Sequence, residues 1–281
     1  MEATRTPAGW RSFSGRRKSN QDAVVAGRFE DGRELIAIAD GMGGHQGGAV
    51  AAQQALDVLV ETVRAGRGLR EGMVAANAAV YRAAQEDPEL TGMGTTLVAL
   101  LRTGDSYSLA NVGDSRAYLV SETEIRQVTA DHSFLAEALR AGQMSAEEAK
   151  KSRWRNALTR AIGTDAQVEV DEFGPFEAQE PHSVILCSDG LHGSVPEDLL
   201  QQCVVQNRDV WAAAMCLADE AFRNGSKDNI SVAVVRFGER IKVSVSGAPM
   251  AARHSPKSLR LLVAPEKQQR SLFRRLFTLF T

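Results

Sequence analysis

With 281 residues, 43% of them hydrophobic and 24% charged, the chain can bury a full core, which excludes wholesale disorder. The net charge of −2 conceals an asymmetry: nine of the 33 basic residues but one of the 35 acids, Glu266, lie from Arg240 onward, leaving 24 basic and 34 acidic residues before it. An acidic body with a basic tail argues against a nucleic-acid enzyme and for a domain that binds metal cations and carries a separate docking element.

In chain order, the first element predicted is a buried strand, Glu34-Leu35-Ile36-Ala37-Ile38-Ala39, which delivers Asp40 to its C-terminal end before a glycine cluster. Two Ala-rich amphipathic stretches, 48–64 and 69–85, read as helices separated by Gly66 and Gly68. Short β-like runs follow at 95–101, 106–112, 116–120 and 125–128; their spacing and Gly, Asp or Ser turns favour antiparallel meanders over βαβ crossovers. Helical composition returns at 133–153, with Ser145 ahead of Glu147 and Glu148 as a start signal. Strands are expected at 183–187 and 230–237, with helices at 196–205 and 210–223 between them. The fold class implied is α+β: a sandwich of two mainly antiparallel sheets flanked by helices.

Past Arg240 the composition changes. Residues 1–239 are expected to form the catalytic domain and 240–265 a small, polar linker. Residues 266–281 read as a basic amphipathic helix, with Leu272, Phe273, Leu276, Phe277 and Phe280 on one face and Arg270 and Arg274 away from it. Three readings of that tail stand open: an anionic membrane surface, a partner protein, or the catalytic domain itself. Cys187, Cys203 and Cys216 are odd in number and widely spaced, so they read as buried thiols in a reducing compartment rather than a disulfide framework. No signal-peptide run or stretch of ~18 apolar residues occurs, so the expected location is cytoplasmic, with the tail as a route to the inner membrane face.

The informative chemistry lies in five aspartates flanked by small residues: Asp22, Asp40, Asp114, Asp189 and Asp228. A single Asp-Gly is a turn signal. Five carboxylates aimed at one cleft imply a cation that offsets their charge, and oxygen-only ligands favour Mg²⁺ or Mn²⁺. A cysteine-dependent phosphatase would need Arg six positions after its Cys; Gly193, Asp209 and Phe222 stand there. A phosphate-cradling loop at Gly41-Met42-Gly43-Gly44 fails for want of any Gly-Lys-Ser/Thr.

The order of the motifs carries a resemblance. Arg17-x-x-Asn20-Gln21-Asp22, Asp40-Gly41-Met42-Gly43-Gly44-His45, Gly94-Thr95-Thr96, Gly113-Asp114-Ser115-Arg116, Leu158-Thr159-Arg160-Ala161-Ile162-Gly163, Cys187-Ser188-Asp189-Gly190-Leu191 and Asp228-Asn229-Ile230 occur in sequence. From about Trp10 to Phe237 the chain resembles the bacterial branch of the metal-dependent, type 2C serine/threonine protein phosphatases. The resemblance implies two or three Mn²⁺ or Mg²⁺ ions, with Asp40 bridging two of them, the Gly41 carbonyl assisting, and Asp189 and Asp228 completing one shell. It implies Asp22 as a ligand acting through water, Asp114 beside a third, weaker ion, Arg17 as the grip on substrate phosphate and Asn229 as a positioner of Asp228. Two such ions ~3.5–4 Å apart lower the pKa of a bridging water enough for in-line attack on phosphorus. Arg17 can hold two phosphate oxygens in fork geometry.

Two departures stand out. Met42 follows Asp-Gly where eukaryotic relatives have a His thought to act as general acid, so His45 or a metal-bound water become candidates. Bacterial relatives usually show His-Pro near Ser152-Arg153, whereas this chain reads Lys151-Ser152-Arg153-Trp154-Arg155. Trp154 either covers an apolar patch or contacts a phosphoprotein, and His132 reads as a cap or turn residue. The implied partners are phosphorylated proteins, a Ser/Thr kinase and its substrates, with the chain a monomer. The alternative is an inactive regulatory module of the same fold.

Overall fold

The computed structural model describes residues 8–43, 47–152, 154, 157–178 and 181–238, with 146, 150, 151 and 259–261 described by backbone alone. Its elements are β1 (Ala8–Phe13), β2 (Asp22–Phe29), β3 (Glu34–Met42), α1 (Gly47–Arg64), α2 (Leu69–Glu86), β4 (Gly94–Thr95), β5 (Leu97–Thr103), β6 (Ser106–Val112), β7 (Arg116–Val120), β8 (Ile125–Gln127), α3 (Phe134–Arg140), α4 (Ala146–Lys151), β9 (Asp171–Glu177), β10 (His182–Cys187), α5 (Asp189–His192), α6 (Glu197–Gln206), α7 (Val210–Arg223), β11 (Ile230–Phe237) and β12 (Leu259–Leu261). One sheet runs β1-β11-β10-β7-β8; the other runs β12-β2-β3-β5-β6-β9, with β4 paired to β3. The named strand pairings are all antiparallel. No described helix is long and apolar enough to cross a membrane.

Strand β3 is apolar without interruption because both of its faces are buried. Leu35, Ala37 and Ala39 pack under α1 and α2, whereas Ile36 and Ile38 meet Val184, Leu186, Ala233 and Val235 of the facing sheet. On the far side, Ile185, Cys187, Val232 and Val234 pack against Leu200, Leu217 and Ala221 of α6 and α7. The result is four layers: helices, sheet, sheet, helices. Alternation along β3 places Asp40 on the same inner face as Ile36 and Ile38, and register opposes it to Asp22 of β2.

The expected 95–101 strand divides at Thr96, whose hydroxyl accepts from the Asp40 amide at 3.0 Å. The helical stretch at 133–153 divides into α3 and α4 around Gly142, which sits at φ 67°; α4 begins at Ser145 with a complete capping box to Glu148. Strands β1, β2 and β9 were not legible. In β9, Asp171–Glu177, the Gly-Pro pair and largely exposed residues mark a sheet edge rather than a core strand. The expected linker and tail lie outside the described residues, save that 259–261 pairs by backbone with β2.

The expectation of three free thiols is corrected. Cys203 of α6 and Cys216 of α7 form a disulfide across two helices that pack side by side, with Cα atoms 5.7 Å apart, and Cys187 is the free, buried cysteine. Spacing along the chain could not show this, because the helix-to-helix crossing, not sequence proximity, brings the two sulfurs together. Thiol labelling of unfolded, unreduced protein should therefore count one cysteine, and three after reduction; three in both would refute the bridge.

Candidate metal centre

All five aspartates reach one end of the inter-sheet layer. Asp22 opens β2 and Asp40 lies directly across from it in β3. Asp189 follows β10, Asp228 precedes β11, and Asp114 occupies the crossover from β6 to β7, which carries the chain from one sheet to the other. Pairing of Cys187 with Arg116 brings Asp189 and Asp114 to the same sheet end. Asp189 and Asp228 come together through Ser188, whose amide donates to the Ser231 carbonyl at 3.0 Å.

Close backbone contact explains the glycines after Asp40. A Cβ on Gly41 would lie 2.1 Å from the Gly48 carbonyl oxygen, so the approaching group is the first turn of α1. Met42, at the position of the eukaryotic His, packs its terminal methyl toward Gly94 and offers no proton. His45 lies outside the described residues.

The Asp22 side chain is buried, and its Oδ2 accepts from Ser188 Oγ at 2.9 Å. Asp40 lies within hydrogen-bonding reach of both Asp22 and Asp189. Burial, then mutual repulsion, makes ionisation of this cluster costly. The Asp22 carboxyl is pushed up to about 6, chiefly by burial. Asp114 is pushed up to about 7 by burial and then by Asp189 and Asp131. Asp40 and Asp189 are raised by burial first, with Asp22 the leading neighbour for Asp40 and Asp228 for Asp189.

Do these residues fit a divalent ion? Among the described residues, Asp22 Oδ1 and Asp189 Oδ1 are buried oxygens with no hydrogen-bond partner. Orphaned carboxylate oxygens in a cluster of like charge are what a hard cation would satisfy. Among the described residues no three acidic, His or Cys side chains close around one point. The case for a cation here therefore rests on the two orphaned oxygens and on the repulsion within the cluster, not on a closed ligand set.

At the mouth, Arg17 donates from Nη2 to Asp228 Oδ2 at 2.7 Å and from Nε to the Lys227 carbonyl at 2.8 Å, while about half of its side chain stays exposed. Gly15, at φ 58°, has no room for a Cβ, which would meet the Asp228 carbonyl at 2.3 Å. The Asn229 side chain accepts from the Gln21 amide at 2.8 Å and donates to the Ser14 and Ser19 carbonyls at 3.1 and 2.8 Å. It thus staples the Arg17 loop, whereas its backbone amide, at 2.9 Å, is what contacts Asp228.

A family model described as Protein phosphatase 2C matches residues 11–224. The chain belongs to the protein phosphatase 2C family. It is 35% identical over 240 residues to serine/threonine phosphatase stp of Listeria welshimeri, covering 81% of this chain and 94% of that protein. Among solved structures, a bacterial serine phosphatase matches with a TM-score of 0.77 and 31% identity, covering 84% of this chain and all of that one. The catalytic domain of the serine/threonine phosphatase PstP, solved with two manganese ions, matches at 0.70 and 32%, covering 82% and 97%.

Sequence reading missed Ser231 and gave Ser188, which stands inside a motif, no role of its own. Ser188 follows β10 and Ser231 lies in β11, and only the two-sheet packing places them at Asp22. His132, expected as a cap or turn residue, is fully buried and caps the Gly113 turn, its Nδ1 accepting from the Gly113 amide at 3.1 Å. Trp154 is 51% exposed and tilts against Phe134 with ring centroids 6.4 Å apart; its neighbours 153 and 155 lie outside the described residues.

The raised carboxyls fix a pH dependence. In the folded chain Asp22 and Asp114 hold protons up to about 6 and about 7, whereas unfolded Asp releases its proton near pH 4. The folded state then binds more protons, so stability in chelator should fall as pH rises from about 4 to 7. Melting temperatures across that range should decline in chelator and be restored most by Mn²⁺ at the upper end. A flat profile in chelator would contradict the charge clustering.

Proposed function

We propose that residues 1–239 hydrolyse phosphoserine and phosphothreonine in proteins, opposing a Ser/Thr kinase, with divalent ions held by Asp40, Asp189 and Asp228. The observation that supports this most is the pair of partnerless buried oxygens on Asp22 and Asp189 within a cluster whose repulsion needs a cation. Family membership favours catalysis over an inactive regulatory module, and the full set of carboxylates points the same way.

Each side chain has a role in this reading. Asp40, flanked by Asp22 and Asp189, would hold divalent ions together with the Gly41 carbonyl. Asp22, tied to Ser188, would hold ion-associated water, and Asp114 would serve a further, weaker site. Divalent ions, when bound, supply the lowered water pKa and the Lewis acidity that phosphate-ester hydrolysis requires. Arg17, exposed at the mouth and held by the Lys227 carbonyl through Nε, presents its outer nitrogens to phosphate. It would exchange its contact with Asp228 for substrate oxygens as cations neutralise that carboxylate. No protein nucleophile is needed.

Hydrolysis of a phosphothreonine peptide should require Mn²⁺ or Mg²⁺ and stop with chelator. Asp40→Asn and Asp228→Asn should each lose about 100-fold or more in kcat. Arg17→Ala should cost about 2–3 kcal/mol in kcat/KM, mostly through KM, with Mn²⁺ affinity little changed. Full turnover in Asp228→Asn would sink the assignment.

For the tail at 266–281 we favour docking on a partner protein, because its sequence pattern separates aromatic residues from arginines as an amphipathic docking helix would. Full-length chain and a chain ending at Arg240 should then sediment equally with anionic liposomes. Tail-dependent sedimentation would shift the assignment to a membrane surface.

A further inference from the structure

Every backbone polar group around the Gly113–Asp114 peptide that the structure partners is held by a residue outside the turn's own strand, with one exception. The Gly113 amide donates to His132 Nδ1 at 3.1 Å, and the Gly113 carbonyl accepts from the His132 amide at 3.0 Å and, from within β6, from Asn111 Nδ2 at 3.1 Å. Since Nδ1 accepts, the His132 proton sits on Nε2, which donates to Asp171 Oδ2 at 3.1 Å. On the opposite side His192 Nε2 lies 3.0 Å from the Asp114 carbonyl oxygen. A carbonyl can only accept, so Nε2 carries a proton and donates; burial, which pushes the His192 pKa down to about 4, leaves the ring neutral.

His192 is the last residue of α5, the single turn that begins at Asp189. The bond therefore ties the backbone bearing Asp114 to the element bearing Asp189. Two carboxylates that repel each other are thus held at a fixed separation by a neutral donor between their supports. Such outer contacts orient ligands without touching the ion, and their loss typically weakens metal binding by 10–100-fold.

We propose that His192 is a positioning residue: its hydrogen bond to the Asp114 carbonyl sets where the Asp114 carboxylate stands relative to Asp189, and so sets the affinity for the divalent ion that Asp114 would hold. The inference rests on the phosphatase reading only in assuming that this cluster binds a cation. His132 fixes the same turn through Gly113 and is itself held by Asp171 of β9, whereas His192 holds it from α5, the element that bears Asp189.

The test is Mn²⁺ binding to the full chain, followed by loss of the free-ion electron paramagnetic resonance signal. His192→Ala should weaken the weakest resolved site by about tenfold or more. His192→Gln, whose amide nitrogen can occupy the place of Nε2, should restore most of it. In an Asp114→Asn background, His192→Ala should add nothing further, because the carboxylate through which it acts is gone. Melting in chelator separates positioning from folding: weakened binding that Gln fails to rescue, together with a lowered melting temperature, would overturn the proposal as a structural effect. A wild-type isotherm in His192→Ala would overturn it outright. No Mn²⁺ binding by the wild type would instead overturn the metal-centre reading, and the proposal with it.

Discussion

Repulsion among carboxylates gathered at one end of a buried layer is the constraint on which the rest of this molecule depends. Asp22, Asp40 and Asp189 stand where burial and neighbouring charge both disfavour ionisation. An unassisted chain would separate such groups or replace them. Here they are retained by two sheets whose apolar faces, Ile36 and Ile38 against Val184, Leu186, Ala233 and Val235, lock the strand ends together. The apolar layer between the sheets is the source of free energy that holds the polar end in place.

Around this cluster, neutral donors and acceptors do the positioning. Ser188 bonds Asp22 through its hydroxyl, which also accepts from the Ser231 amide at 3.1 Å. Thr96 accepts from the Asp40 amide and shares a 2.7 Å bond with Ser115, beside Asp114. Asn229 gathers the loop that carries Arg17. None of these groups adds charge, so the carboxylates are fixed without being neutralised, and the demand for a cation is preserved. Among the described residues, Arg17 meets Asp228 at the solvent side and leaves the inner oxygens of Asp22 and Asp189 unsatisfied.

Much of the fold was legible where periodicity is strong. The strands 106–112, 116–120 and 230–237 and helix 210–223 match their elements at both ends, because alternation or an amphipathic face dictates them. The carboxylates were legible for a different reason: each sits beside small residues at an abrupt end of an apolar run. Strand β9 and the divided helix at 133–153 were not legible, since an edge strand carrying Gly-Pro and a break at Gly142 leave no periodic trace.

Sequence alone determined the chemical inventory: which aspartates are candidates for the site, that no cysteine or histidine cluster accompanies them in the motifs, and that Arg17 stands among those motifs. It determined the family through the order of those motifs. Only the tertiary structure decided that Cys203 and Cys216 pair, that the Asn229 side chain holds the Arg17 loop while its backbone amide meets Asp228, and that His132 and His192 grip the Asp114 turn. Those contacts join residues 13 to more than 200 positions apart. Local periodicity is set by neighbours a few residues away, whereas long-range hydrogen bonds depend on how sheets and helices meet, which no single stretch of sequence encodes.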